Sequence, residues 1–201
     1  MKKILISILR NQNTSIDAYR QAAEQLSNLL AIESSQFLPK QHFVIQTPLA
    51  QTDGVQFENH TVLIPVLRSG LVLLPPFLHY YPKARVGFIG ARRDEKTAIA
   101  ELYYLKLPPL SKDTNILLLD PMIATGGTAS LAIKTLIESG AEEKQITLIS
   151  FISSPDGMKR LQEEYPTVGL LIAQIDEGLD PAKRIIPGLG DFGDRYFGNE
   201  S

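Results

Sequence analysis

The chain has 201 residues, 44% of them hydrophobic and 21% charged, a balance that fits a soluble globular protein long enough to bury a sizeable core. A net charge of −2 excludes a general basic field for nucleic acid or an anionic membrane. The absence of cysteine excludes disulfides, thiolate metal sites and a cysteine nucleophile. No apolar run approaches the length of a membrane span.

In chain order, Ile4 to Leu9 is a short apolar segment behind Met1-Lys2-Lys3. It is too short for a signal-peptide core and is broken by Ser7. Arg10-Asn-Gln-Asn13 then follows without a small-residue cleavage site, so a cytoplasmic location is expected. Thr14-Ser15 is placed to cap a helix running to about Ile32, with Ala22, Leu26, Leu29 and Leu30 on one face. Phe43 to Thr47 reads as a strand and Thr52-Asp-Gly54 as a turn. Thr61 to Val66 reads as a strand running into Leu67-Arg68-Ser69-Gly70, and a helix around Pro75-Pro76 reaches about Tyr80. Arg85 to Gly90 is the next strand, ending in Ala91-Arg92-Arg93-Asp94-Glu95. Glu101 to Leu107 alternates like the return arm of a β-hairpin. Gln145 to Ile152 is a strand, Pro155 to Glu164 a helix and Val168 to Ala173 a strand. The tail from Leu179 to Gly198 reads as irregular. This alternation predicts an α/β fold with a mostly parallel central sheet and helices on both faces.

The most informative stretch is Ile116 to Thr128. Ile116 to Leu119 suits one buried parallel strand, and Asp120 stands where it would emerge. Pro121 is expected to stop the ladder because it has no N–H. Gly126-Gly127-Thr128 closes a turn before a helical pattern at Leu131, Ile133, Leu136 and Ile137. Strand, small-residue turn and helix start together form an anion site, with backbone N–H groups and the positive helix end facing the turn. A carboxylate at the strand end suits sugar hydroxyls, so the stretch reads as a binder of a phosphorylated ribose. The same pattern also serves plain architecture in many α/β proteins. The Walker loop is excluded, because no lysine follows the glycine pair. Gly188 to Gly193 formally satisfies Gly-x-Gly-x-x-Gly, but too little chain follows for a dinucleotide unit. The tail glycines instead suggest a tight cover, with Asp191 and Asp194 making turn hydrogen bonds. His42, His60 and His79 have no ligand spacing.

Arg68-Ser-Gly70, Arg92 to Glu95 and Asp120 to Thr128 all fall at strand ends, which line the ligand crevice of an open α/β sheet. Arginine forks match phosphate oxygens in pairs, so two such groups facing one phosphate loop suggest a ligand with more than one phosphate. Taken alone, Arg92 and Arg93 read more simply as solvated charges beside Asp94 and Glu95.

Val62 to Gly70, Asp120-Pro-Met-Ile-Ala-Thr-Gly-Gly-Thr128 and Ile186-Pro-Gly-Leu-Gly-Asp-Phe-Gly-Asp-Arg-Tyr-Phe-Gly198 together resemble the uracil phosphoribosyltransferase family. Leu9 to Thr14, Ala84 to Gly87, Arg93 to Thr97 and Ser154 to Gly157 add to the likeness, which spans nearly the whole chain. The resemblance implies a single type I phosphoribosyltransferase domain over residues 1–201, with a β-hairpin arm and a small C-terminal hood. It implies conversion of uracil and 5-phosphoribosyl 1-diphosphate (PRPP) to UMP and diphosphate. It also implies Mg²⁺ bound mainly through PRPP, a homodimer or higher homo-oligomer, and GTP as an effector in some members. Arg93, Asp120 and Asp191 would be the catalytic residues. Arg68, Arg93, Asp120, Pro121, Met122, Ile123, Ala124, Thr125, Gly126, Gly127, Thr128 and Asp191 would bind PRPP. Ile185, Gly190, Asp191 and Phe192 would touch uracil. The sequence departs from the family pattern at Phe192, where alanine is usual, after Gly70, where Val72-Leu-Leu-Pro-Pro76 stands, and at Ile99-Ala100, where Glu-Pro is expected. The alternative is a PRPP- or nucleotide-sensing homologue, and a third reading is transfer to another base. A backbone-read base leaves the Phe192 ring free to pack outside the base pocket, which is the expected arrangement.

Overall fold

The computed structural model describes residues 1–58, 60–93 and 100–199, with Arg93 described through its backbone alone. The chain opens with helix α1 (Lys2–Arg10), whose buried Leu5, Ile6 and Leu9 form a stripe against α2 (Ile16–Ser34). The segment that reads in sequence merely as a short apolar run is thus an amphipathic helix. A two-stranded antiparallel arm follows, β1 (Lys40–Gln46) and β2 (Gln51–Phe57).

The expected turn at Thr52 to Gly54 is corrected here, because those residues lie within β2. The reversal falls at Thr47 to Ala50, where Thr47 Oγ1 accepts from the N–H groups of Leu49 and Ala50 at 3.2 and 3.0 Å. Gly54 is a strand glycine that pairs with Phe43. A Cβ there would stand 2.8 Å from Ile45 Cγ2 and 3.1 Å from Phe43 Cζ, so the missing side chain makes room for cross-strand neighbours.

The main sheet is built next. Strand β3 (His60–Leu67) leads through a short turn to α3 (Leu74–Tyr80), then β4 (Arg85–Val86) and β5 (Phe88–Arg93). The return strand β6 (Ala100–Lys106) is antiparallel to β5, as the alternating sequence predicts. The fully buried β7 (Thr114–Leu119) leads through β8 (Met122–Ile123) to α4 (Gly127–Glu138), then β9 (Ile146–Ser153), α5 (Pro155–Glu164) and β10 (Gly169–Ile175). The strand order is β10-β9-β7-β3-β5-β6, parallel except for β6.

Two cores lie on opposite faces of this sheet. Leu63, Leu117, Leu119, Ile149 and Phe151 pack with α1, α2 and α3, while Val62, Ile64, Ile116, Leu118 and Leu148 pack with α4 and α5. Strands buried on both faces need continuous apolar runs, which is why Ile116 to Leu119 carries no polar alternation. Helix α5 has the bounds its sequence predicts. Ser154 caps it by accepting from Gly157 N–H at 2.9 Å, and Pro155 takes the first helical position.

Two further expectations are modified. Pro121 interrupts the ladder without ending it. Its carbonyl accepts from Phe151 and Ile152 N–H at 3.0 and 3.2 Å, and β8 resumes parallel pairing with β9. The tail is more ordered than its glycines suggest. It forms the antiparallel pair β11 (Gly178–Leu179) and β12 (Ile185–Ile186), then the short helix α6 (Phe192–Phe197). Among the described residues no helix is long and apolar enough to cross a membrane.

Candidate active site

The carboxyl ends of β3, β5 and β7 open into a cavity of about 730 Å³, closed on its far side by the hood that β11, β12 and α6 build. Asp120 stands on the sheet side of this cavity. It is only 8% exposed, and its Oδ1 is 3.5 Å from the Met122 N–H. Burial pushes its carboxyl up to about 7, because an ion there loses hydration, and the long Met122 contact offsets this only in part.

The turn after Asp120 is shaped by Gly126, which precedes α4 with φ 75°, a left-handed conformation that a side chain would strain. No acidic residue lies in the first turn of α4 and no side chain caps it. The partial positive charge of this helix end is therefore available to an anion. The start of α5 buttresses the turn from behind. Ser154 Oγ donates to Ala124 C=O at 2.6 Å, and Ser154 N–H donates to Ile123 C=O at 2.9 Å. Gly157 packs so closely that a Cβ there would be 2.5 Å from the same Ala124 oxygen. Ser154 to Gly157 is thus the support on which the anion turn rests.

The structure brings most of the expected residues together. Asp120, Pro121, Met122, Ala124 and Thr128 line the cavity from the sheet side, and Ile185, Gly190, Asp191 and Phe192 line it from the hood. Thr125, Gly126 and Gly127 complete the turn between lining residues, while Ile123 is buried in the core beneath α4. Arg68 stands at the end of β3, joined to Leu67 by a cis peptide, but its side chain is exposed and does not line the cavity; Leu67 and Ser69 do. Arg92 is an exposed strand residue 3.5 Å from Glu101 across the hairpin, a solvated pair but not with the neighbours its sequence suggests. Asp94 and Glu95 lie outside the described residues, as does the Arg93 side chain.

Asp191 is exposed and caps α6, accepting from Asp194 N–H at 2.9 Å, so the turn hydrogen bond expected of it is present at the cavity rim. Asp180, Lys183 and Arg184 also line the cavity and were not expected there. They form the β11–β12 loop, in which Arg184 Nε donates to Asp180 Oδ2 at 2.7 Å. The Asp-Pro pair at 180–181 between apolar stretches was the available hairpin signal.

The Phe192 ring packs behind the cavity wall and is 1% exposed. Its centroid lies 5.4 Å from Phe151, 5.6 Å from Tyr19 and 5.8 Å from Tyr196, within the core that α2 shares with the sheet. Aromatic contacts of this kind add to the energy of area burial. The ring is thus part of the core that α2 shares with the sheet.

Two outcomes follow from this geometry. Phe192→Ala should lower stability by about 3–5 kcal/mol in denaturant unfolding, because it empties the centre of an aromatic cluster. For Asp120 the folded-state value of about 7 lies above the ordinary 3.8. As pH rises between these values the unfolded chain releases a proton that the folded chain keeps, so stability falls with rising pH. Asp120→Asn abolishes that loss. The variant should be more stable than the parent by roughly 2–4 kcal/mol above about pH 7, with the difference vanishing toward about pH 4. Paired denaturation curves at several pH values measure this, and a gain independent of pH would contradict it.

A family model described as uracil phosphoribosyltransferase matches residues 1–199. The uracil phosphoribosyltransferase of Campylobacter concisus is 41% identical over 192 residues, which cover 96% of this chain and 91% of that protein. A solved structure of a protein from Aquifex aeolicus superposes with a TM-score of 0.88 at 31% identity, covering 98% of this chain and 93% of its own. The adenine phosphoribosyl transferase of Trypanosoma brucei, solved with AMP, pyrophosphate and ribose-5-phosphate, superposes with a TM-score of 0.53 at 15% identity over 78% of this chain and 65% of its own, a likeness of fold alone. On the near full-length match of both the family model and its relative, this chain belongs to the uracil phosphoribosyltransferase family.

Proposed function

We propose that this protein transfers the 5-phosphoribosyl group of PRPP to uracil, forming UMP and diphosphate. The observation that carries the reading is a single cavity that joins a buried carboxylate, a glycine turn at a helix N-terminus and a hood that presents Ile185, Ile186, Pro187 and Gly190 beside its charged rim. These match the ribose hydroxyls, the 5′-phosphate and a flat base respectively.

In this mechanism the turn from Thr125 to Thr128 holds the 5′-phosphate with backbone N–H groups and threonine hydroxyls. Asp120 accepts from the ribose hydroxyls, and those charge-assisted bonds draw its carboxyl back toward the ionised form. The Ile185 to Phe192 backbone orients uracil so that its N1 faces C1′. The C1′–oxygen bond to diphosphate breaks, the N1–C1′ bond forms, and the proton on N1 is released. Positive charge builds on the ribose ring and negative charge on the leaving diphosphate. Arg93, at the end of β5, is the cation assigned to that leaving group, and Arg68, at the end of the neighbouring β3, would reach PRPP only by turning its exposed side chain toward the cavity. Asp191 at the cavity rim faces the PRPP side. Among the described residues no three His, Asp or Glu side chains gather as a metal cage. Mg²⁺ would be held mainly by PRPP oxygens, with the cavity carboxylates Asp120 and Asp191 available to it, and would supply positive charge to neutralise the diphosphate.

A homodimer or higher homo-oligomer belongs to the same proposal. Its support is the exposed apolar surface of the β1–β2 arm, where Val44 is 67% and Leu49 95% exposed beside Phe43 and Val55.

The test is conversion of a panel of labelled bases with PRPP, with and without Mg²⁺. Uracil should be the preferred acceptor. PRPP binding without transfer to any base would select the sensing alternative. Two variants check the roles. Asp120→Asn should weaken PRPP binding by about 1.5–3 kcal/mol in titration calorimetry, since an amide offers one acceptor oxygen in place of two. Arg93→Ala should lower kcat more than it raises KM for PRPP, because a cation on the hairpin acts on the reacting state. An effect confined to KM would reduce Arg93 to a binding role.

A further inference from the structure

Asp176 follows β10 directly, and its side chain is wholly removed from solvent. Its two oxygens serve two distant parts of the chain. Oδ1 accepts from Arg10 Nη2 at the end of α1, and Oδ2 accepts from the Gly188 N–H at 3.0 Å. Arg10 Nη1 in turn donates to the Gly188 C=O at 3.4 Å. The ion pair thus occupies both the donor and the acceptor of one residue in the hood. Gly188 lies between Ile185 and Gly190, which line the cavity, and directly follows the cis Ile186–Pro187 peptide. Arg195 fastens the same segment, donating to Leu189 C=O at 2.8 Å and to Asn11 C=O at 2.8 Å.

We propose that Asp176, acting with Arg10, is a positioning residue that fixes the 185–190 backbone and so sets affinity for the base but not for PRPP. This rests on the reading that uracil is recognised by that backbone. A carboxylate can serve an arginine and an N–H at once through separate oxygens, whereas an amide presents one oxygen and an NH₂ group. Backbone recognition needs its donors and acceptors aimed before the base arrives, because ordering them on binding lowers affinity. The phosphate turn is held by other contacts, through Ser154 and Gly157, and does not depend on this pair.

The test uses the full chain and three variants. Asp176→Asn removes the double acceptor. Arg10→Lys keeps the charge and loses the fork that reaches both Asp176 and the Gly188 carbonyl. Glu33→Gln is the control, since the Lys2–Glu33 pair also ties α1 to its surroundings but touches nothing in the hood. Asp176→Asn and Arg10→Lys should raise KM for uracil about tenfold to a hundredfold while KM for PRPP changes by no more than about twofold. Glu33→Gln should change neither. Equal rises for both substrates, or no rise for uracil, would overturn the proposal. If Asp176→Asn fails to fold, Arg10→Lys carries the same comparison. If the parent transfers nothing to uracil, the proposed function falls, and amide hydrogen exchange decides the positioning role by itself. Faster exchange at Gly188, Leu189 and Gly190 in Asp176→Asn and Arg10→Lys, but not in Glu33→Gln, supports it. Unchanged exchange overturns it.

Discussion

A carboxylate buried at the end of the central strand is the constraint around which this molecule is arranged. Asp120 has one backbone donor at 3.5 Å and burial that pushes its carboxyl up to about 7. Burying an ionisable group with so little compensation opposes folding. The strand that delivers it is correspondingly robust, because all six residues of β7 are buried and it pairs with strands on both sides. The two cores on either face therefore hold in place a group whose charge the ligand-free protein disfavours. Residues arranged for a ligand commonly detract from stability in this way.

The rest of the cavity is held by groups set back from it. The glycine turn before α4 leans on the cap of α5, where one serine bonds both the helix start and the Ala124 carbonyl. The hood leans on the end of α1, reached by arginines from either direction in the sequence: Arg10 points out to Asp176 and Gly188, and Arg195 points back to Leu9, Leu189 and Asn11. Arg195 also lies over Tyr19, its guanidinium carbon 4.4 Å from the ring centroid. Such a contact adds attraction between a cation and an aromatic face. The first helix, remote in sequence from the hood, is therefore part of its foundation.

What the sequence made legible was whatever is local or periodic. The run Ile116 to Leu119 announced a buried parallel strand, and Pro155 the start of α5. Strand-end reasoning found Asp120 and the glycine turn because topology carries the ends of parallel strands to one edge. It placed Arg68 at that edge as well, but not the direction of its side chain, which depends on tertiary packing. Gly54 was misleading because glycine is a sign of turns and also a means of close cross-strand packing, and only the partner strand distinguishes the two. The Arg10–Asp176 pair could not be read locally, since its members stand 166 residues apart and nothing in the stretch around Arg10 points to Asp176.

The hood has a face toward the cavity and a rear that packs into the core. At the cavity surface the segment from Ile185 to Phe192 offers apolar groups, glycine, main chain and, at the rim, the Asp191 carboxylate. Behind that surface its side chains engage the core: the Phe192 ring stands between Tyr19, Phe151 and Tyr196, and the Gly188 amide is held by a buried carboxylate. In such a wall the position of the backbone is fixed by contacts that lie behind the cavity surface. A large ring at position 192 is then compatible with an open cavity, because its volume is spent inside the core. A small residue there would leave less to anchor the start of α6. The physical consequence is that the position of the 185–192 backbone is set from the rear of the hood, through the packing of Phe192 and the hydrogen bonds to Gly188.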